Sequence, residues 1–178
     1  MDSAPVTNSF ALPSTSIPDD LLRTKLTPPR LQSALLARPA LLARLDEGLS
    51  RRLTVISAPA GSGKTTLAAE WLADRGVPAA WVALDSGDND PIRFWRYVIT
   101  ACHAFDPTIG TAGLAALRTA QQPSLESVLT SFLNDLAQLA GPAYLLVLED
   151  YHAITAPDVQ QTVAFLLDHL PPALHVLL

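Results

Sequence analysis

The segment APAGSGKTT, residues 58–66, constrains the fold of this chain more than any other feature. The apolar, β-branched run LTVIS precedes it at 53–57, and a helical pattern over 64–75 follows it and ends at Gly76. Small residues let a backbone turn tightly between a strand and a helix, so that several amide N–H groups point inward. We therefore predict a strand at 53–57 that is buried on both faces, a helix at 64–75, and an anion-binding loop between them.

This loop has the composition of a polyphosphate-binding site. Its amides and the positive end of the following helix suit phosphate oxygens, the Lys64 ammonium can reach the β and γ phosphates, and the Thr65 hydroxyl can be a ligand of Mg²⁺. The pattern GxxxxGK[ST] begins with glycine, and Ala58 in that position still lets the loop close if its φ is negative. We predict a site for a nucleotide and Mg²⁺, and its expected nucleotide-binding residues are Ala60, Gly61, Ser62, Gly63, Lys64, Thr65 and Thr66.

Two acids end a second apolar run. The run YLLVL at 144–148 has the length of a strand and continues into Glu149 and Asp150. Downstream of a phosphate loop, acids at a strand end are typical of the second half of a nucleotide site, where they hold Mg²⁺ and polarise an attacking water. Because adjacent residues of a strand point to opposite sides, we expect the two acids to divide these roles. We predict both as catalytic residues and Glu149, with Thr65, as a metal ligand; the alternative is a pair of solvated turn acids.

Strands and helices alternate along the chain. Further strands are predicted at 80–84 and 175–178, and further helices at 39–48, 91–105, 124–140 and 157–170, whereas residues 106–123 have no readable pattern. This alternation predicts an α/β fold with a parallel sheet covered by helices on both faces. Since the final apolar strand has nothing after it, we expect the sheet to be incomplete at the C-terminus and the chain to be the front part of a longer protein; a natural C-terminal strand is the alternative.

Composition defines the remaining segments and excludes some functions. Residues 1–20 are rich in Ser, Thr and Pro and predict a disordered lead, residues 21–52 an arm and a short helix, and residues 53–178 a partial ATPase core. The proline pair at 28–29 favours an extended arm over 21–30. A net charge of −5 argues against direct contact with nucleic acid. Without a long apolar run or a signal peptide, we expect no membrane contact and a cytoplasmic protein.

Several segments together resemble the N-terminal ATPase region of the large, MalT-like LuxR-family transcription regulators, which belong to the STAND group of P-loop ATPases. The segments are APAGSGKTT, WVALDSGDNDPIRFWRYVITA, LLVLEDYHAI and FLLDHLPPALHVLL, and the resemblance covers nearly all of residues 21–178. It implies a P-loop NTPase fold and an ATP-dependent switch, in which nucleotide and an inducer promote self-association of the full-length protein. It also implies that the sensor and a DNA-binding helix-turn-helix lie beyond this sequence, so DNA is a partner only through a downstream domain.

The resemblance also assigns roles to single residues. It implies that Lys64 and Thr65 hold phosphates and Mg²⁺ and that Arg38 lies near the adenine, with a plain surface arginine as the alternative reading of Arg38. The family's acidic pair is usually Asp-Asp, and the longer Glu149 affects Mg²⁺ geometry and hydrolysis more than binding. We therefore expect an ATP-binding switch module that hydrolyses ATP slowly at best. The alternatives are a nonfunctional truncation, a stand-alone P-loop ATPase, or a small-molecule kinase, which would need an acceptor site and an arginine-rich lid.

Other charged residues have two readings each. Asp85, Asp88 and Asp90 follow the second strand, and we favour turn and cap roles over contact with the nucleotide. Arg93 and Arg96 are expected on a solvated helix face, with contact to a neighbouring subunit as the alternative.

Two further expectations concern structure alone. Thr155 and Asp158 have the spacing of a capping box at the start of the last helix, and Cys102 is expected in the core.

Overall fold

The computed structural model describes residues 17–31, 38–119, 124–141 and 143–178. In these ranges the chain forms one parallel sheet in the order β1-β4-β3-β2. The strands are β1 (Leu53–Thr54), β2 (Ala79–Ala83), β3 (Tyr144–Glu149) and β4 (Leu174–Leu177). The helices are α1 (Pro39–Gly48), α2 (Lys64–Arg75), α3 (Pro91–Cys102), α4 (Thr111–Ala116), α5 (Leu125–Leu136) and α6 (Pro157–Asp168). Short 3-10 helices lie at Arg23–Leu26, Ser86–Asn89 and Tyr151–Ala153.

Helices cover both faces of the sheet, because side chains alternate along each strand. On β2, Val82 packs into a core that α3, α4, α5 and α6 build on one face. Its neighbour Trp81 packs with Trp71 of α2 and Leu45 of α1 on the other face. The predicted α/β fold with a parallel sheet between two helical layers is therefore confirmed.

Most predicted elements are present, with shifted ends. The bounds of α1 and α2 agree with the prediction; β3 ends one residue later than predicted, and β2 and β4 each begin and end one residue earlier. Helices α3, α5 and α6 end earlier than predicted, since the residues after them form looser turns, such as the one in which the Gln138 N–H donates to the Asp135 carbonyl three residues back at 3.1 Å. Helix α4 lies inside the segment that had no readable pattern, because a single short turn of helix carries little periodicity.

Strand β1 is shorter and less buried than predicted. Its assigned pairing covers Leu53–Thr54, although the Ile56 N–H still donates to the Leu178 carbonyl at 2.7 Å. Val55 is 59% exposed, so the prediction of burial on both faces is wrong. The reason is the place of β1 in the described sheet, where it is an edge strand paired with β4 alone.

The arm at residues 17–31 is docked on the domain. It contains the 3-10 helix Arg23–Leu26, so the prediction of an extended arm over 21–30 is wrong there. The proline pair at 28–29 restricts only itself and the residue before it, which leaves the preceding residues free to turn. The buried Lys25 ammonium lies 4.8 Å from the centre of the Tyr97 ring in α3. The buried apolar residues of the arm are Leu21 and Leu26.

Three further expectations have separate outcomes. The disordered lead falls mainly on residues 1–16, outside the described residues, and the division into lead, arm and core stays a prediction. The capping box is wrong, because Ala156 precedes α6 and makes no side-chain cap. Instead, the Asn89 side-chain oxygen accepts from the N–H groups of Thr155 and Ala156, each at 2.7 Å. In the described ranges no helix has the length and apolarity needed to cross a membrane.

Candidate functional site

A cleft of about 870 Å³ opens at the carboxyl ends of the strands. The strands are parallel, and β4 alone separates β1 from β3. The loop after β1 and the acids after β3 therefore lie close together at the carboxyl ends of the strands. This is where parallel α/β sheets bind ligands. The residues that line it and that sequence analysis assigned to the site are Ala60, Gly61, Gly63, Lys64, Thr65, Thr66, Glu149 and Asp150.

The loop has the backbone conformation of an anion cradle. Gly61 has a φ of 76° and Gly63, which precedes α2, has a φ of 82°, a region that side chains with a Cβ rarely adopt. Nothing lies within 4 Å of the position that a Cβ would take on Gly61, so the loop faces open space there. Helical geometry leaves the first N–H groups of α2 without partners inside the helix. The residues present therefore fit a phosphate group.

The Lys64 side chain folds back along the loop. Its ammonium donates to the carbonyls of Ala58, at 2.9 Å, and Pro59, at 3.3 Å. Both are neutral acceptors, and a phosphate would be a stronger partner for the same charge. Ala58 has no positive φ, which is the condition under which alanine can replace the usual glycine.

Two predicted site residues, Arg38 and the loop residue Ser62, do not line the cleft but bond to each other beside it. The Arg38 guanidinium donates to the Ser62 carbonyl at 3.0 Å. The same guanidinium lies 3.2 Å from the position of a Cβ on Gly63, so this glycine allows a close approach as well as a positive φ. The Ser62 N–H donates to the Pro59 carbonyl at 3.3 Å and thus closes a turn of the loop. The assignment of Arg38 and Ser62 to nucleotide binding stays a prediction.

The two acids sit in different backbone conformations. Glu149 ends β3, and its Oε2 accepts from the indole N–H of Trp81 at 3.2 Å. Asp150 has a φ of 54°, the one positive φ among the described residues other than glycine. Aspartate tolerates this conformation better than most residues, and such conformations concentrate at functional sites. The Asp150 carboxylate lies 3.6 Å from Nδ1 of the exposed His152.

The donor set suits a magnesium ion that is held partly by phosphate. In the part of the chain that the structure describes, no group of three His, Cys, Asp or Glu side chains could hold a metal ion by itself. Mg²⁺ usually takes only one or two protein ligands and completes its shell with waters and substrate phosphates. Thr65 and Glu149 both line the cleft and offer such oxygens.

The acids after β2 have structural roles. Asp85 and Asp88 form the capping box of the 3-10 helix Ser86–Asn89, and the Asp90 side chain accepts from the Arg93 N–H at 2.7 Å. The turn and cap reading is thereby confirmed. A hydrogen bond from Lys25, followed by one from the Gly87 N–H, holds the pKa of Asp85 below its usual value.

Residues in α3 also have partners within the chain. Arg93 Nε donates to Asp88 at 3.1 Å, and Arg96 pairs with Asp20 at 2.6 Å, which neither reading of the two arginines included. Cys102 is fully buried as expected, and burial raises the pKa of its thiol far above the usual range.

The sequence analysis missed Lys25, Asn89 and the bond from Trp81, because their partners lie about 60 or more residues away.

Comparison with known proteins decides the family. Residues 33–178 match the AAA ATPase domain family. The chain belongs to this family. The similar curated proteins include the HTH-type transcriptional regulator MalT of Yersinia enterocolitica, 36% identical over 159 residues that cover 89% of this chain. The MalT of Vibrio cholerae is 35% identical over 149 residues, or 83% of this chain. The resemblance to MalT-like regulators is confirmed, and this AAA ATPase domain spans about a sixth of the curated relatives' length, 17% and 16% respectively.

Proposed function

We propose that this AAA ATPase domain binds ATP together with Mg²⁺, hydrolyses it slowly at best, and acts as the nucleotide-dependent switch module of a MalT-like transcription regulator. One observation carries the proposal: a single cleft is lined both by the glycine-containing loop with Lys64 and Thr65 and by the acids Glu149 and Asp150. These two parts are the ones that phosphoryl chemistry requires, a cradle for the phosphates and carboxylates beside it.

Each residue has a distinct part in this proposal. The loop amides and Lys64 bind phosphate oxygens, and Lys64 exchanges its carbonyl partners for them. Thr65 and Glu149 hold Mg²⁺, which would neutralise charge on the phosphates. Asp150 accepts a hydrogen bond from a water and orients it toward the terminal phosphate. Asp150 follows the end of β3 and has a left-handed backbone conformation, so its side chain does not continue the alternation of side chains along the strand. Glu149 and Asp150 can therefore have different roles.

The regulatory part of the proposal rests on the relatives. They are named as HTH-type transcriptional regulators, and the matched region is a small part of their length. We infer that this domain changes state with its nucleotide in the cytoplasm and promotes self-association in the full-length protein. DNA contact belongs to a different part of such a protein, in keeping with the net charge of −5 here.

The packing of α4 favours a switch over a small-molecule kinase. A kinase would use a mobile, arginine-rich segment to close over the phosphates. Residues 106–119, the described part of the segment that had no readable pattern, instead bury Leu114 and Leu117 in the core beside α3 and α5. None of these residues lines the cleft.

Calorimetric titration with Mg²⁺-ATP tests the binding site. We expect Lys64→Ala to weaken binding about 10-fold to 100-fold, because it removes charge-assisted hydrogen bonds to phosphate. Arg44→Ala, which removes an exposed cation of α1 outside the cleft, is the matched control and should bind like the parent. Equal affinities of the parent and Lys64→Ala would refute the loop assignment.

Turnover measurements test the second half of the site. Asp150→Asn keeps a residue that tolerates a positive φ but removes the charge. We expect it to bind Mg²⁺-ATP normally and to lose the slow release of phosphate. Phosphate transfer to a small-molecule acceptor, much faster than transfer to water, would instead support a kinase.

A further inference from the structure

Trp81 connects the core to the nucleotide cleft. Its side chain is 3% exposed and lines the cleft from β2, the strand beside β3. In the register of these strands Ala83 pairs with Glu149, so Trp81 lies two residues back on the same face. From there its indole N–H donates to Glu149 Oε2 at 3.2 Å. The bond is thus a diagonal contact between neighbouring strands, within reach of an aromatic side chain.

This bond restricts the acid at the site. A glutamate side chain has several rotatable bonds, and fixing them on ligand binding costs conformational entropy. A hydrogen bond to a carboxylate is stronger than one between neutral groups, and a buried indole N–H requires a partner. The rigid Trp81 ring therefore fixes the Glu149 carboxylate before any ligand enters.

We propose that Trp81 is the positioning residue that holds the Glu149 carboxylate in place for the metal ion that accompanies the nucleotide. The inference rests on the proposed function of the cleft and adds a residue to it. Trp81 itself contacts the carboxylate and contributes no metal ligand, since an indole N–H only donates. The consequence is that loss of the bond affects metal-dependent binding and leaves the phosphate loop intact.

Trp71 offers a matched control. It is 1% exposed, and its indole N–H donates to the Asp46 carboxylate at 2.9 Å, a bond of the same chemistry in the same core layer. It does not line the cleft. A phenylalanine in either position keeps most of the buried ring and removes the N–H, so both variants lose one indole–carboxylate bond and differ in where they lose it.

The experiment measures ATP affinity with Mg²⁺ and with EDTA for the parent, Trp81→Phe and Trp71→Phe. We expect Trp81→Phe to lose about fivefold to tenfold in affinity with Mg²⁺ and to match the parent in EDTA. Trp71→Phe should leave the ratio of the two affinities unchanged, whatever it does to the melting temperature. An equal loss in both conditions, or the same ratio in both variants, would overturn the proposal.

A second comparison uses Glu149→Asp, whose shorter side chain withdraws the carboxylate from Trp81. Whatever affinity for Mg²⁺-ATP this variant has, Trp81→Phe should lower it no further, since the bond is already absent. Additive effects would contradict the proposal. If Lys64→Ala binds ATP like the parent, the proposed function is refuted. If Lys64→Ala weakens binding but Trp81→Phe leaves the Mg²⁺-dependent affinity unchanged, only the role of Trp81 is refuted.

Discussion

Replacing Lys25 by methionine removes the central cation of a buried charge cluster that holds the arm on the sheet. Asp88 is fully buried, and its carboxylate accepts from Lys25, from Arg93 at 3.1 Å and from the Asp85 N–H at 2.9 Å. The Lys25 ammonium also contacts the Asp85 carboxylate at 3.0 Å. Methionine has a similar length and keeps the apolar stem packed. The change therefore isolates the loss of charge.

The expected effect follows from the burial of Asp88. Removing one partner of a buried ion pair costs roughly 3–5 kcal/mol, because the remaining charge stays uncompensated. Arg93 and the Asp85 N–H keep their contacts with Asp88, so we expect the lower end, about 3 kcal/mol. For a chain of this size about 2–4 °C of melting temperature corresponds to each kcal/mol, which predicts a decrease of roughly 6–12 °C.

Urea unfolding and thermal melts measure this change, and two further variants identify its cause. The double variant Lys25→Met, Asp88→Asn removes the buried negative charge and should recover part of the lost stability, since the asparagine oxygen can still accept one of the bonds from Arg93 and the Asp85 N–H. Asp20→Asn breaks the exposed pair with Arg96 and should have a much smaller effect. The reasoning is refuted if Lys25→Met is no more destabilising than Asp20→Asn, or if the double variant is as unstable as the single one.

Two shorter predictions concern other buried contacts. Asn89→Ala removes bonds to the Ala153 carbonyl at 2.9 Å and from two N–H groups before α6, so we expect a loss of about 2–3 kcal/mol in urea unfolding; a change within error would contradict this. Burial holds the pKa of His175 below 6.5, against the opposing hydrogen bond to the Arg51 carbonyl. The unfolded chain then binds more protons, so stability is complete above a pH of about 6.5 and decreases as the pH falls through the folded pKa. Urea midpoints measured between pH 5 and 8 should therefore fall less steeply toward low pH in His175→Gln than in the parent. Some slope should remain, because burial also lowers the pKa of His103. An unchanged slope would refute the prediction.

The sequence predicted what depends on local pattern. Helix α2 begins and ends at the predicted residues because Gly63 and Gly76, both with positive φ, mark its limits. The sequence also predicts that the acids after β3 belong to the ligand site, because parallel α/β sheets bind ligands at the carboxyl ends of their strands. These features depend on residue types within a few positions of one another, and such patterns are visible in a single sequence.

Contacts between distant segments were not predictable in the same way. Lys25 pairs with Asp88 across 63 residues, and no spacing rule connects an arm to a loop at that distance. The bond between Trp81 and Glu149 depends on β2 lying beside β3, which the alternation of strands and helices leaves open. The exposure of β1 has the same origin, since composition indicates a strand but says nothing of its place in the sheet.

The order of the strands means that the cleft is complete only once the last strand along the chain has paired. The loop follows β1 and the acids follow β3, yet the strand that separates and aligns them, β4, is the last of the four along the chain. Contacts between such distant segments carry a large loop-closure entropy and form slowly. A nucleotide that bridges loop and acids binds only the finished sheet, and at 100 times its Kd it would stabilise that sheet by about 2.7 kcal/mol. If the proposed function holds, ATP would therefore stabilise the folded sheet in addition to any signal that it carries.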